Sequence, residues 1–364
     1  MENPLQFFAE MQDPRVERTK DHLLVDIIFI TIASVICGAE SWYDVEAFGE
    51  AKHEWLKKFL KLPNGIPTHD TFNRVFACLD SGELGQCFLN WTQSVSRLTE
   101  GEVVSLDGKT LRGSRDKGSK SIVHMVSAWA SVNNIVLGQQ KVDSKSNEIT
   151  AIPALLEVLA LKGCIVTIDA MGCQKTIASA IVDKEADYIL ALKGNQGELH
   201  EQVQESFRFM NTNSVSEETD WGHGRIEKRQ CSVINDLSMI EQKDQWKGLR
   251  SIIKIEAERF IKSTGETERE TRYYISSMPG DAQQLNRNIR DHWKIENSLH
   301  WVLDVAFNED QSRKRAGHAA ENFSVINRIA LNLLKNETST KQGVKGKRLK
   351  AGWDIEYLEK VLKI

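Results

Sequence analysis

Three acidic residues stand where a carboxylate is out of keeping with its surroundings. In EVVSLDGKTL (102–111), Val103, Ser105 and Asp107 alternate with Val104 and Leu106, the period of a strand that runs into a carboxylate. CIVTIDA (164–170) is a short, almost wholly apolar run that again ends on one, Asp169. DHWKIENSLHWVLDVAFNED (291–310) reads as one amphipathic helix, and a wheel of about 100° per residue puts Glu296 only about 20° from Leu285 and Leu303, inside the apolar stripe. Burying an ionised carboxylate is costly unless it is paired or holds a metal. His292 and His300 fall close by, so a core ion pair with His or Arg is one reading of Glu296. The other reading takes the three carboxylates together. Converging from two strand ends and a helix, they form an oxygen-rich set suited to Mg²⁺. Two such ions can activate a water or a 3′-hydroxyl and stabilise the leaving oxygen in phosphodiester transfer. Asp304 and Asp310 are rivals for the third position, with Asp304 also placed to act as an outer group.

The elements that must position these acids follow from the hydrophobic period. Residues 1–98 read as an all-helical N-terminal domain, with amphipathic segments, a turn at LPNGIP and a third helix that Thr68 can N-cap. From residue 99 the pattern becomes strand, strand, strand, helix, strand, helix, strand: EVVSLDGKTL, then HMVSAWAS and IVLGQQKV joined by an Asn-bearing turn, NEITAIPALLEVLAL as a helix stopped by Lys162-Gly163, CIVTIDA, the helix QKTIASAIVDKEAD, and YILALKG. The last strand–helix–strand unit implies parallel pairing. This order is the ribonuclease-H-like one, in which the first and fourth strands are neighbours. Asp107 and Asp169 are 62 residues apart (169 − 107) and would then sit side by side. The fold expected is therefore α/β, a ribonuclease-H-like core over 99–338, with residues of about 194–280 as a β-rich insertion and 339–364 as a basic C-terminal tail.

At 364 residues, 41% hydrophobic and 27% charged, the chain has the balance of a globular protein. Its longest apolar run, 23–38, contains Asp26 and is short for a membrane span, so it reads as a buried helix, with no membrane partner. The N-terminus lacks the pattern of a secretory signal, and a cytoplasmic location is expected. Six scattered cysteines show no zinc-ligand spacing and read as core residues. The net charge of −4 does not announce a nucleic-acid partner, so any DNA contact must come from local clusters. The run KQGVKGKRLK (341–350) holds five cations and no acid; its plain reading is a solvated, flexible tail.

Six motifs in order, LDGKTLRGS (106–114), TIDAMGCQK (167–175), YILALKGNQ (188–196), GHGRIEKR (222–229), HWKIENSLHWVLDVAFNED (292–310) and AGWDIEYL (351–358), resemble those of bacterial insertion-sequence DDE transposases of the H-repeat-associated branch. The resemblance spans nearly the whole chain. It implies Asp107, Asp169 and Glu296 as the catalytic, metal-binding triad, two Mg²⁺ or Mn²⁺ ions, and double-stranded DNA as partner at element ends and target. A homodimer on DNA is an assembly it allows. Strand cleavage and transfer is the activity implied. The alternatives are a silent remnant that only binds DNA and a ribonuclease-H-like nuclease without strand transfer. One departure stands out: related transposases carry Tyr-x2-Arg-x3-Glu-x6-Lys, whose positions here are Ile289, His292, Glu296 and Leu303, so only the glutamate agrees. Phosphate contacts would then fall to Arg290, His292, Lys294 or His300. Lys109, Arg112, Lys193, His223, Arg225, Lys228 and Arg229 cluster beside the acidic motifs or in the insertion and are the expected lining of the DNA path.

Overall fold

The computed structural model describes residues 3–115, 122–142, 147–222 and 224–364. Helices come first: α1 (Leu5–Phe8), α2 (Leu24–Ile36), α3 (Trp42–Ala51), α4 (His53–Leu56), α5 (His69–Cys78) and α6 (Ser81–Val95). Strands β1 (Val103–Thr110), β2 (His124–Ala130) and β3 (Ile135–Lys141) follow, then α7 (Glu148–Val158), β4 (Ile165–Ile168), α8 (Lys175–Asp183), β5 (Asp187–Leu192) and α9 (Gly197–Phe209). Next are β6 (Ser214–Gly222), β7 (Arg225–Ile234), β8 (Ser251–Ile261) and β9 (Thr267–Ser276), and finally α10 (Ala282–His292), α11 (Trp301–Phe307), α12 (Ala319–Asn336), α13 (Val344–Trp353) and α14 (Ile355–Leu362). The chain divides into two compact units: Met1–Arg97 with Gly108–Asn147 and Glu296–Ile364, and Leu98–Asp107 with Glu148–Ile295. β1 contributes its first residues to the second unit and its last three to the first.

In the first unit the apolar run is α2, buried on nearly every side, and Asp26 within it is 2% exposed. Its carboxylate is satisfied by the Leu62 amide at 2.9 Å, as a buried acid requires. Against α2 lies α12, whose asparagines tie neighbouring elements by their amides. Asn332 bonds both the N–H and the C=O of Val136 on β3 (2.8 and 2.9 Å), and Asn322 donates to the Phe76 and Leu79 carbonyls (2.8 and 2.9 Å). Thr68 occupies the N-cap of α5 as expected, without a side-chain capping bond. The basic run is no flexible tail. Residues 344–353 form α13, where Lys347 donates to the Leu334 carbonyl (2.9 Å) and Arg348 to Val35 (2.8 Å). Both cations are buried because they satisfy carbonyls that helix ends leave open.

In the second unit the strand order is β1-β4-β5-β9-β8-β7-β6, and in the first β2 pairs antiparallel with β3. β1, β4 and β5 are parallel, as the crossover helices require; β9 pairs antiparallel with β5 (Leu190 opposite Ile275). The β-rich insertion therefore extends the sheet by four antiparallel strands. It also contains α9 and β6, which the sequence pattern did not announce. Helix α10 buries Leu285 and Ile289 against Val103, Ile165, Ile189, Val233 and Ile253. Of the six cysteines only Cys164, Cys173 and Cys231 are core; Cys78 is exposed. Among the described residues no helix is long and apolar enough to cross a membrane.

Candidate metal and DNA-processing site

The register of β1 and β4 runs Ser105 opposite Thr167 and Leu106 opposite Ile168, so the next residues along the two strands are Asp107 and Asp169. The strands part at this point. β4 ends because Asp169 caps a 3₁₀ turn over Ala170–Gly172, its Oδ1 accepting from Met171 N (3.0 Å) and Gly172 N (3.3 Å). The turn demands Gly172: a Cβ there would lie 2.2 Å from Ile168 Cγ2. β1 instead runs three residues beyond Asp107, contrary to the reading of it as ending there.

Below the carboxylates, on the same faces of their strands, lies a buried polar ladder. Thr167 Oγ1 donates to Ser105 Oγ at 3.1 Å and lies 3.0 Å from His292 Nδ1. His292, expected on DNA, thus reaches into the sheet from the end of α10. The turn after Asp169 is braced by the KGNQ segment, Asn195 donating to Ala170 O (2.6 Å) and Gln196 to Cys173 O (2.9 Å). Sequence reasoning did not single out Ser105, Thr167, Asn195 or Gln196. The quoted motifs TIDAMGCQK and YILALKGNQ were the available signal, since one motif holds the other in place.

Burial pushes the Asp169 carboxyl above the ordinary range, with Glu148 adding to it and Lys193 and the two turn amides opposing. A buried carboxylate held against its own desolvation is a ready cation ligand. The two turn amides engage Oδ1, so Oδ2 is the oxygen that Asp169 would turn to a metal.

In the first unit Glu296 opens a π turn, Glu296–His300, ahead of α11. A π turn places one extra residue in the helix, so a wheel drawn at a constant 3.6 residues per turn fails across it. That corrects the reading of Glu296 as part of the buried stripe: Ile295, Leu299 and Leu303 are buried, whereas the Glu296 side chain is 51% exposed, with one oxygen 3.6 Å from Nδ1 of the buried His300. Asp304 is engaged elsewhere, both of its oxygens accepting from Lys109 Nζ (2.6 and 2.7 Å). Lys109 is 8% exposed and also 3.6 Å from Asp310, so its charge is used inside the protein. The chain behind Lys109 is fixed by Gly113, where a Cβ would meet Ser312 O at 2.1 Å.

The other expected DNA contacts divide by exposure. Arg112 is 80% exposed, its Nε 3.3 Å from Asp310. Lys193, Arg225 and Lys228 are exposed. Arg229 is mostly covered and paired with Glu227 (3.0 Å). Arg290 is bound by Glu218 (3.0 Å) and Asp220 of β6, and Lys294 by Asp291 (2.8 Å). His223 lies outside the described residues. The insertion is thus less basic than its motif suggests, because the acids of β6 and β8 lie across from the cations of β7.

A mixed sheet in which Asp107 and Asp169 follow matched residues of adjacent parallel strands is in keeping with a transposase DDE domain. The chain belongs to that class: a profile of the transposase DDE domain matches residues 98–333, and one described as DDE_Tnp_1-associated matches 5–92. Among its relatives are "Putative transposase YncI" of Escherichia coli O157:H7, 47% identical over 98% of this chain and 94% of that protein, and "H repeat-associated putative transposase YhhI" of Escherichia coli K12, 43% identical over 94% and 93%. It belongs to the insertion-sequence DDE transposase family, with an H-repeat-associated protein among its relatives. The fold resembles that of the piggyBac transposase, seen in a synaptic complex with hairpin DNA, with a TM-score of 0.50 at 10% identity over 100% of this chain and 81% of that one.

Proposed function

We propose that the chain has a ribonuclease-H-like core in which Asp107, Asp169 and Glu296 act together, cutting DNA at the ends of an insertion sequence and joining the 3′ ends to target DNA. The observation that carries this is the parallel register of β1 and β4, after whose last matched pair, Leu106 and Ile168, come Asp107 and Asp169. The parallel order β1-β4-β5 with its crossover helices supports the same core. Glu296 fits the third place through its exposure on the π turn, a form of helix found often at functional sites.

Two Mg²⁺ or Mn²⁺ ions held by these carboxylates would supply Lewis acidity to the attacking and leaving oxygens. The chain's own residues do the positioning. The Met171 and Gly172 amides and the Asn195 and Gln196 braces hold Asp169 in one orientation, and the Ser105–Thr167–His292 ladder stiffens both strands beneath the acids. Arg112, Lys193, Arg225 and Lys228 offer exposed cations to phosphates along the DNA, and a homodimer would present two such paths to two element ends.

The test is strand cleavage and 3′-end joining on a duplex carrying one element end, with Mg²⁺ and with chelator. Metal-dependent nicking with joining is the expected result. Nicking without joining would make the chain a nuclease, and binding without nicking a silent DNA-binding protein. Removal of Arg225 and Lys228 should lower the slope of log affinity against log salt by about 0.9 for each lost contact.

A further inference from the structure

A cleft of about 540 Å³ lies within the first unit, between the N-terminal turns of α3 and α5, the 307–314 segment and Phe323 of α12. Its volume falls within the range of about 300–1,000 Å³ usual for ligand sites. The chemistry of its walls is specific. Tyr43, 66% exposed, stacks on the His69 ring with centroids 4.0 Å apart and planes 26° from parallel. His69 is itself held by Glu46, which accepts from its backbone N–H (2.9 Å) and lies 2.7 Å from Nδ1. A flat aromatic surface is therefore fixed in orientation while one face of it stays open.

Deeper in, Lys314 is 6% exposed, its amine 3.6 Å from the Phe323 ring centroid and 5.2 Å from that of Trp42. It donates to the Glu40 carbonyl, and the Asp44 and Glu40 carboxylates act on it through space. Burial lowers it to about 8. A lysine so placed retains donors for a ligand in the cleft. Glu40, Asp44 and Asp70 on the walls offset Lys314 and Arg313, so a bare phosphate gains little there. A neutral heteroaromatic ring, with donors and acceptors along one edge, suits both the stack and the mixed rim.

We propose that this cleft takes up a single unpaired nucleobase from a DNA strand, stacked on Tyr43 and read at its edge by polar groups of the rim. The inference rests on DNA being the substrate, and it assigns a role to the helical N-terminal region that the acidic residues do not. Duplex ends and nicked strands supply such bases, and aromatic stacking accepts any of them.

The test uses the full chain and a single-stranded oligonucleotide containing 2-aminopurine, whose emission falls on stacking. Wild-type protein should quench it. Tyr43→Ala should abolish quenching and weaken single-strand affinity relative to duplex affinity by about 5- to 150-fold, the worth of one base–aromatic stack, while Tyr43→Phe keeps both. Because Tyr43 is largely exposed, Tyr43→Ala should keep the wild-type melting temperature, which confirms that the fold is intact. Equal quenching by wild type and Tyr43→Ala would overturn the proposal. So would Tyr43-dependent binding of free adenosine without any response of the oligonucleotide, which would make the cleft a nucleoside site. Unquenched 2-aminopurine in a protein that still cleaves duplex DNA defeats this inference alone; quenching in a protein that never cleaves defeats only the catalytic reading.

Discussion

Asp169 and Glu296 carry the same charge and are held in opposite ways. Asp169 ends a four-residue buried strand, caps the turn that follows, and is braced from a second segment 25 residues further on. Glu296 is half exposed, opens a π turn and lies 3.6 Å from Nδ1 of buried His300. Asp169 has one oxygen fixed by two amides of its own turn, while Glu296 stands at the start of a π turn. Loss of the charge should therefore disable either residue, whereas altering the backbone should harm Glu296 selectively.

The largest effects belong to charge removal. Asp169→Asn and Glu296→Gln should each lower Mg²⁺-dependent cleavage by about 10²–10³-fold or more, as loss of an electrostatic stabiliser does, with duplex binding retained. Glu296→Gln should leave the melting temperature nearly unchanged, since the side chain is half exposed. A clear fall would restore the core ion-pair reading. Next comes deletion of Asn297, which removes the extra residue of the π turn and lets a regular α-helix form. Cleavage should fall nearly as far as in Glu296→Gln while the protein stays folded by circular dichroism. Activity retained in the deletion would show that the π turn does not place the glutamate.

A smaller effect is expected from Asp304→Asn, which removes the charge and one of the two acceptor oxygens facing the buried Lys109 and leaves Asp310 at 3.6 Å. Stability should drop by about 1–3 kcal/mol, read from the urea midpoint, with cleavage within about tenfold of wild type. If Asp304→Asn abolishes nicking and Glu296→Gln does not, the third carboxylate is Asp304. The smallest effect is in pH dependence. Asp169 has a folded pKa raised above the unfolded 3.8, so between the two values the folded state binds more protons and stability falls as pH rises. In metal-free protein Asp169→Asn should flatten that slope from about pH 4 upward; a slope identical to wild type would mean the burial of Asp169 is not felt.

The strand-end aspartates were legible because a strand's period is local and a parallel crossover fixes which ends become neighbours. Asp107 and Asp169 needed only the alternation of their own segments and the order of elements. The π turn was not legible, since Glu296 to His300 is compatible with an ordinary helix. Nor was the fate of the cations. Lys109 reads like Arg112, and Lys347 and Arg348 like Lys345, until acids and carbonyls hundreds of residues away come within reach: Asp304 for Lys109, Val35 O for Arg348. Sequence by itself determined the mixed α/β order and the neighbouring places of Asp107 and Asp169 on β1 and just after β4, because these follow from patterns a few residues long. Tertiary structure decided which charges are spent inside the protein, where Glu296 points and where the Tyr43 cleft opens, because each depends on contacts between segments far apart in the chain.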